Sequence, residues 1–355
     1  MRNRKRASLL TCAGLLTAAV APGLAADAEQ TLLARARELF KPLPAHAGTA
    51  ERPLTADRIA LGKALFFETR VSTDGKVSCA GCHNPSLYGT DALPRSAGNQ
   101  GRIVPRNAPT VFNTALQFVQ HYGGNRVDVE EQAVKALISP LAYGNADYAA
   151  AEARLRSLPG YRAMFEKAFP GEPEPMTAEN WGKAIGAYER TLLTPAPFDR
   201  YLAGDTAALN AQAKQGLDKF MSFGCAGCHN GVTVGGQMYQ KFGLTQDYWT
   251  LTRSPEIELL KGRDKGRFHD TKNEADAYIF KVQQLRNVAV TPPYFHDGSV
   301  AELGEAVRIM AKLQLGRELT ATDVSDMVAF LGSLTGEVPA QFSGVPNLPA
   351  AAFRN

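Results

Sequence analysis

The chain has 355 residues, is 45% hydrophobic and 21% charged, and carries a formal charge of +4. That length suggests two domains, and the composition excludes fibrous, low-complexity and disordered classes. The positive excess is supplied by Arg2, Arg4, Lys5 and Arg6, so the rest of the chain holds 35 basic against 35 acidic residues, too neutral a balance for a nucleic-acid binder.

Those four residues open an export signal over residues 1–25. Leu9 to Val20 form its apolar core and Gly23-Leu24-Ala25 a small-residue cleavage site. A membrane anchor is the alternative, but the apolar run is short and Pro22 interrupts it. The mature chain is therefore expected in the periplasm, with no membrane span. Cys12 leaves with the signal, and the four cysteines that remain sit in two identical pentapeptides, so no disulfide framework is expected.

Downstream the periodic segments are helical and few stretches alternate as strands do. Leu61 to Phe67 reads as an amphipathic helix leading into Cys79-Ala80-Gly81-Cys82-His83. Trp181, Ile185, Tyr188 and Leu192 share one helical face. Loops at Phe169–Met176 and Thr194–Phe198 follow the glycines and prolines, with a domain boundary at the second. Gln215 to Met221 repeats the helix ahead of Cys225-Ala226-Gly227-Cys228-His229. Ser299-x-x-Glu302 is a capping box opening a helix with a stripe of Leu303, Val307 and Met310. Val324, Val328 and Leu331 mark a last helix, with Gly336 as its stop. The expectation is an all-α fold of two cytochrome-c-like haem domains with long loops, residues 26–197 and 198–340, followed by a tail at 341–355.

Two cysteines at i and i+3 with His at i+4 form the attachment signature of c-type haem. The thiols add to the vinyl groups, and the imidazole becomes the proximal iron ligand. Zinc or thiol–disulfide chemistry uses Cys-x-x-Cys, but neither needs the following His at both places. Two covalently attached haem c groups are expected, on Cys79, Cys82 and His83 and on Cys225, Cys228 and His229. The sixth ligand then decides function: a strong ligand makes an electron carrier, an open position a place for peroxide.

The chain resembles the bacterial di-haem cytochrome c peroxidase family, which also contains the MauG-type maturases. The resemblance rests on Cys79–Asn84, Arg106–Asn113, Phe280-Lys281-Val282 with Leu285–Val288, Thr291–His296, Met310 with Gln314-Leu315-Gly316, and Phe330–Gly336. It implies a peroxidatic, low-potential first haem and a high-potential second haem that receives electrons, with Met310 as sixth ligand; MauG-type members carry Tyr there. It implies hydrogen peroxide as substrate, a small reduced cytochrome c or cupredoxin as donor, and a homodimer. It also implies Ca²⁺ held by the Asn107 side chain and the carbonyls of Thr291 and Pro293. Read from the residues alone, Met310 is a core methionine and Asn107 a turn residue.

The match weakens around the first haem. Asn99 falls where members of the family have a distal His, which implies an iron open from the start. Ala142 falls where they have the catalytic Glu, and alanine cannot move the proton that peroxide cleavage requires. Gln132 is retained and can orient peroxide. Tyr122 replaces an inter-haem Trp and can still relay an electron. His121, before it, is a distal base or a weak ligand, or else a surface His in a glycine-rich turn, and Tyr143 is a further candidate. Two other readings stay open, a MauG-like oxidase acting on a partner protein and a di-haem electron carrier without catalysis.

Overall fold

A computed structural model describes residues 22–350. The expected export signal, residues 1–25, lies outside the described residues except for its last four positions. The chain is mostly helical. Its principal helices are α1 (Pro22–Leu39), α2 (Ala56–Phe66), α3 (Val129–Ala136), α4 (Ala178–Glu189), α5 (Ala211–Ser222), α6 (Leu303–Leu315) and α7 (Ala321–Gly332). Among the described residues, the strands form one small antiparallel pair, β1 (Tyr239–Lys241) and β2 (Ile279–Lys281), with Gln240 opposite Phe280. No described helix is long and apolar enough to cross a membrane.

Local chemistry sets the helix starts. Thr55, Asp128, Thr177, Asn210 and Thr320 each accept a backbone N–H of the first turn of α2, α3, α4, α5 and α7. Each such cap is worth about 1 kcal/mol. The box expected at Ser299 does not form. The Ser299 N–H donates to the Asp297 carboxylate at 3.1 Å, and α6 begins at Leu303 without a side-chain cap. Leu303, Val307 and Met310 stay half-buried, because they face a cavity; the residues of α6 that are fully buried are Ala306, Ile309, Ala311 and Leu313.

One helix pair occurs twice. A Cβ on Gly62 of α2 would lie 1.9 Å from the Ala184 carbonyl oxygen of α4 and 2.8 Å from Tyr188 Cβ. A Cβ on Gly216 of α5 would lie 1.9 Å from the Asp326 carbonyl oxygen of α7 and 2.9 Å from Phe330 Cβ. The equivalence continues past the helices. Asn113 N–H donates to Leu192 O at 2.9 Å, and Asn287 N–H to Leu334 O at 3.1 Å. The Asn113 side chain accepts from Thr194 N–H, and that of Asn287 from Gly336 N–H, both at 3.0 Å.

The cores follow these pairs, but the chain ends cross over. Leu33, Ala36 and Phe40, a helical stripe at the N-terminus, are covered by Phe198, Tyr201 and Phe220 around α5 and α7. Phe342, near the C-terminus, packs against Phe66, Phe112 and Tyr188 around α2 and α4. A third cluster joins Tyr122 to Phe242, Tyr248, Phe280, Tyr294 and Ile309.

Candidate functional site

Each Cys-Ala-Gly-Cys-His segment is one tight turn after the first helix of its pair. His83 N–H donates to Cys79 O at 2.9 Å, and His229 N–H to Cys225 O at 3.0 Å. At the second segment both cysteines and the histidine line one cavity. At the first site the chain curls back, with Gly89 N–H on Asn84 O, so that His83 Nδ1 meets Gly89 O at 3.1 Å. The carbonyl requires the proton on Nδ1 and leaves Nε2 free to bind a metal. Burial lowers the basicity of His83 and pushes the Cys79 thiol up to about 12.

At the second site burial lowers His229 to about 4. Gly235, at φ +122°, passes so close that a Cβ would lie 3.0 Å from His229 Nδ1 and 2.3 Å from Gln283 O, so both the fold angle and the imidazole demand glycine there. Cys225, Cys228 and His229 face Leu303, Val307 and Met310 across one cavity of about 280 Å³. The same cavity reaches Asn107, Tyr122, Thr291 and Pro293. The structure therefore brings the expected second-haem residues together with the expected Ca²⁺ residues and Tyr122.

Tyr122 is buried. Its hydroxyl lies 3.4 Å from Asn107 Oδ1 and 3.5 Å from Phe295 O, and burial raises its pKa. His121 is turned elsewhere, at φ +65°. Its Nδ1 meets Asn125 Oδ1 at 2.8 Å, and Asn125 Nδ2 donates to Asp270 at 2.7 Å. That second bond fixes the amide, so Nδ1 of His121 carries the proton. Burial, with Arg126 nearby, lowers its pKa to about 4, leaving a neutral ring at pH 7.

Around the first site Tyr143 is buried, its hydroxyl 3.7 Å from Cys79 Sγ and its ring edge-on to Trp181 at 5.5 Å. Burial raises its pKa well above the ordinary phenol value. Gln132 lies half-buried on α3, and Ala142 packs on the first core. Asn99 is tied to Thr73 by side-chain bonds of 3.0 and 3.1 Å and to Leu141 O through its N–H at 3.2 Å.

Several polar groups were not singled out from the sequence. Arg106 and Asp264 form a buried two-pronged ion pair at 2.6 and 2.8 Å, with His296 3.9 Å from the same carboxylate. Lys281 is buried against Gln117 and Val119 O, and burial lowers it to about 7. Glu189 is buried at the end of α4. Only Arg106, Lys281 and His296 fall in the motifs read above, and nothing in their spacing reports burial.

Residues 56–207 match the family model described as di-haem cytochrome c peroxidase. The chain is 43% identical over 345 residues to the cytochrome c551 peroxidase of Pseudomonas aeruginosa, covering 97% of this chain and 96% of that one. It is 34% identical over 356 residues to the methylamine utilization protein MauG of Methylorubrum extorquens, covering 96% and 94%. A solved MauG-like protein associated with microbial copper homeostasis superposes with a TM-score of 0.73 at 27% identity, covering 85% of this chain and 97% of that chain.

Proposed function

The chain belongs to the di-haem cytochrome c peroxidase family, and on that footing we propose that it is a periplasmic enzyme reducing hydrogen peroxide to water with electrons from a small reduced cytochrome c or a cupredoxin. The observation that carries this reading is the duplicated helix pair, each copy presenting Cys-x-x-Cys-His, in a chain similar to a peroxidase over nearly its full length. The second cavity fits haem c. Its walls are largely apolar, and Cys225, Cys228, His229 and Met310 all line it.

Haem held by Cys225, Cys228 and His229 would supply electron storage, and haem held by Cys79, Cys82 and His83 would supply the peroxide chemistry. In two haem units, residues 26–197 and 198–340, His83 and His229 are the proximal ligands. Met310, which lines the same cavity as His229, would be the sixth ligand, and a thioether there would raise the potential, as suits an electron-entry site. Tyr122, which lines the same cavity, is the relay. Gln132 orients peroxide, and Tyr143 holds the protein against the Cys79 attachment. His121, committed through Asn125 to Asp270, positions Tyr122 and does not act as the base. Asn107 Oδ1 with the carbonyls of Thr291 and Pro293 offers neutral oxygens for Ca²⁺. The enzyme is proposed to be a homodimer.

The test is the initial rate of peroxide-dependent oxidation of reduced cytochrome c by the purified di-haem protein. Sustained turnover is expected. No turnover with several donors and both haems attached would leave two readings, a MauG-like oxidase acting on a partner protein and the electron carrier, the latter made credible by Ala142 and Asn99.

A further inference from the structure

Among the described residues seven carboxyl groups are buried: Glu68, Glu130, Glu189, Asp199, Asp264, Asp297 and Asp326. Six of them accept hydrogen bonds: Glu68 from Arg70 and Tyr161, Glu130 from Arg190, Asp199 from Arg286, Asp264 from Arg106, Asp297 from Ser299 N–H and Asp326 from Lys219. Glu189, 95% buried with a relative exposure of 5%, has no such partner among the described residues. Arg190, the adjacent cation, is committed to Glu130 at 2.7 and 3.0 Å and to Ala47 O at 2.9 Å.

The internal repeat says where this carboxyl sits. Tyr188 and Phe330 are equivalent, each against the crossing glycine of its helix pair, so Glu189 is equivalent to Leu331. Leu331 lines the second haem cavity together with His229 and Met310. Glu189 occupies the same position at the first haem loop, and its charge acts on the Cys79 thiol. Where the second site presents methyl groups, the first presents a carboxyl.

We propose that Glu189 is a proton-holding group coupled to the first haem. It takes up one proton from solvent when that site accepts one electron from the donor, and releases it when the electron leaves. The charge of the site is thereby conserved across the electron transfer. Burial and the neighbouring Glu130 push Glu189 up to about 8, opposed by Arg190, which places the exchange near neutral pH. Other charged or titratable groups face it. Glu130 comes from α3, with Asp128 beside it, both paired with Arg52 of the loop before α2. Cys79 comes from the haem loop, and Tyr188 and Arg190 from its own helix and its C-cap. The two arginines are held in ion pairs, burial raises Tyr188 far from neutrality, and attachment consumes the Cys79 thiol.

The proposal rests on the di-haem reading, not on peroxide turnover. Its test is a potentiometric titration of the holoprotein between pH 6 and 10, following each haem by its own absorption, for wild type, Glu189→Gln and Glu189→Leu. Haem propionates also titrate, so the readout is the difference between wild type and variants. In wild type the first-haem equilibrium is expected to shift up to tenfold per pH unit, 59 mV for one electron, across part of this range. In both variants that component disappears, while the second haem keeps its wild-type profile. An unchanged first-haem slope in the variants, or a flat wild-type slope, overturns the proposal. Glu189→Leu imports the side chain of the equivalent position, so loss of the slope there without loss of haem separates a proton site from a folding defect. A protein with this slope but no peroxidase activity would sink the peroxidase reading and leave Glu189 in place.

Discussion

His121 and Tyr122 are consecutive, yet their surroundings give them different work. Tyr122 lines the second cavity with its hydroxyl near Asn107, whereas His121 is bonded through Asn125 to Asp270. An imidazole whose pKa is lowered to about 4 is a poor proton carrier at pH 7, since a general base works best near the operating pH. His121→Ala is therefore expected to lower peroxide turnover by less than about tenfold, through movement of Tyr122. A loss of about 10²–10⁴, the range for a lost acid–base group, would restore His121 as the base. Steady-state rates at pH 7, with haem content checked, decide it. At this scale the sequence was legible where chemistry is written in spacing, as at Cys79–His83. It was silent where chemistry depends on burial: nothing in Glu189 ahead of Arg190 reports that the fold buries both.

Elements were easier to read than single side chains, because helices need only period and caps. The stripe of Trp181, Ile185 and Tyr188 lies on α4, and that of Val324, Val328 and Leu331 on α7. Gly336 does not stop α7, which ends at Gly332; Gly336 instead packs on Thr194 O, where a Cβ would lie 2.2 Å away. The sequence could not show that Gly62 and Gly216 are contact points, since a helical glycine has no periodic signature. Alanine gains about 1 kcal/mol of helix propensity over glycine. Here that gain loses, because the new Cβ would meet a backbone carbonyl at 1.9 Å and no rotamer can relieve it. Gly62→Ala and Gly216→Ala are each expected to destabilise the holoprotein by about 1–3 kcal/mol in urea unfolding. Gly332→Ala, with nothing within 4 Å of its Cβ, is the control and is expected to be neutral or slightly stabilising. Equal behaviour of all three would mean that the helix pairs are not close-packed at the glycines.

At the scale of the whole molecule, the two helix pairs are joined by polar contacts that no local pattern announces. Thr194 Oγ1 accepts from both Asn113 and Asn287 at 2.9 Å, one from each repeat. Arg106, ahead of Asn107, reaches 158 residues along the chain to Asp264. Asp264 is fully buried and Arg106 is 17% exposed, unlike the surface pair Arg35–Asp218 at 44% and 50%. Burial raises the Asp264 pKa, but Arg106 more than offsets it and the net shift is downward. The contribution of the pair is therefore present above the ordinary aspartate range and is lost as pH falls through it. Asp264→Asn leaves the guanidinium buried without a counter-charge, which costs about 3–5 kcal/mol, whereas Asp218→Asn on the surface costs less than about 1 kcal/mol. Urea unfolding at pH 7 checks the difference, and repeating it at pH 3 should narrow the gap, because the unfolded wild type then takes up a proton at Asp264 that the folded pair resists. A gap that stays constant with pH would mean that shape, not charge, holds these two loops together. Replacing both partners by apolar residues of similar size is expected to recover much of the loss, since it removes the stranded charge along with its partner. The pair would then fix the register between the Asn107 loop and the loops of the second haem, and binding energy would not be its main contribution.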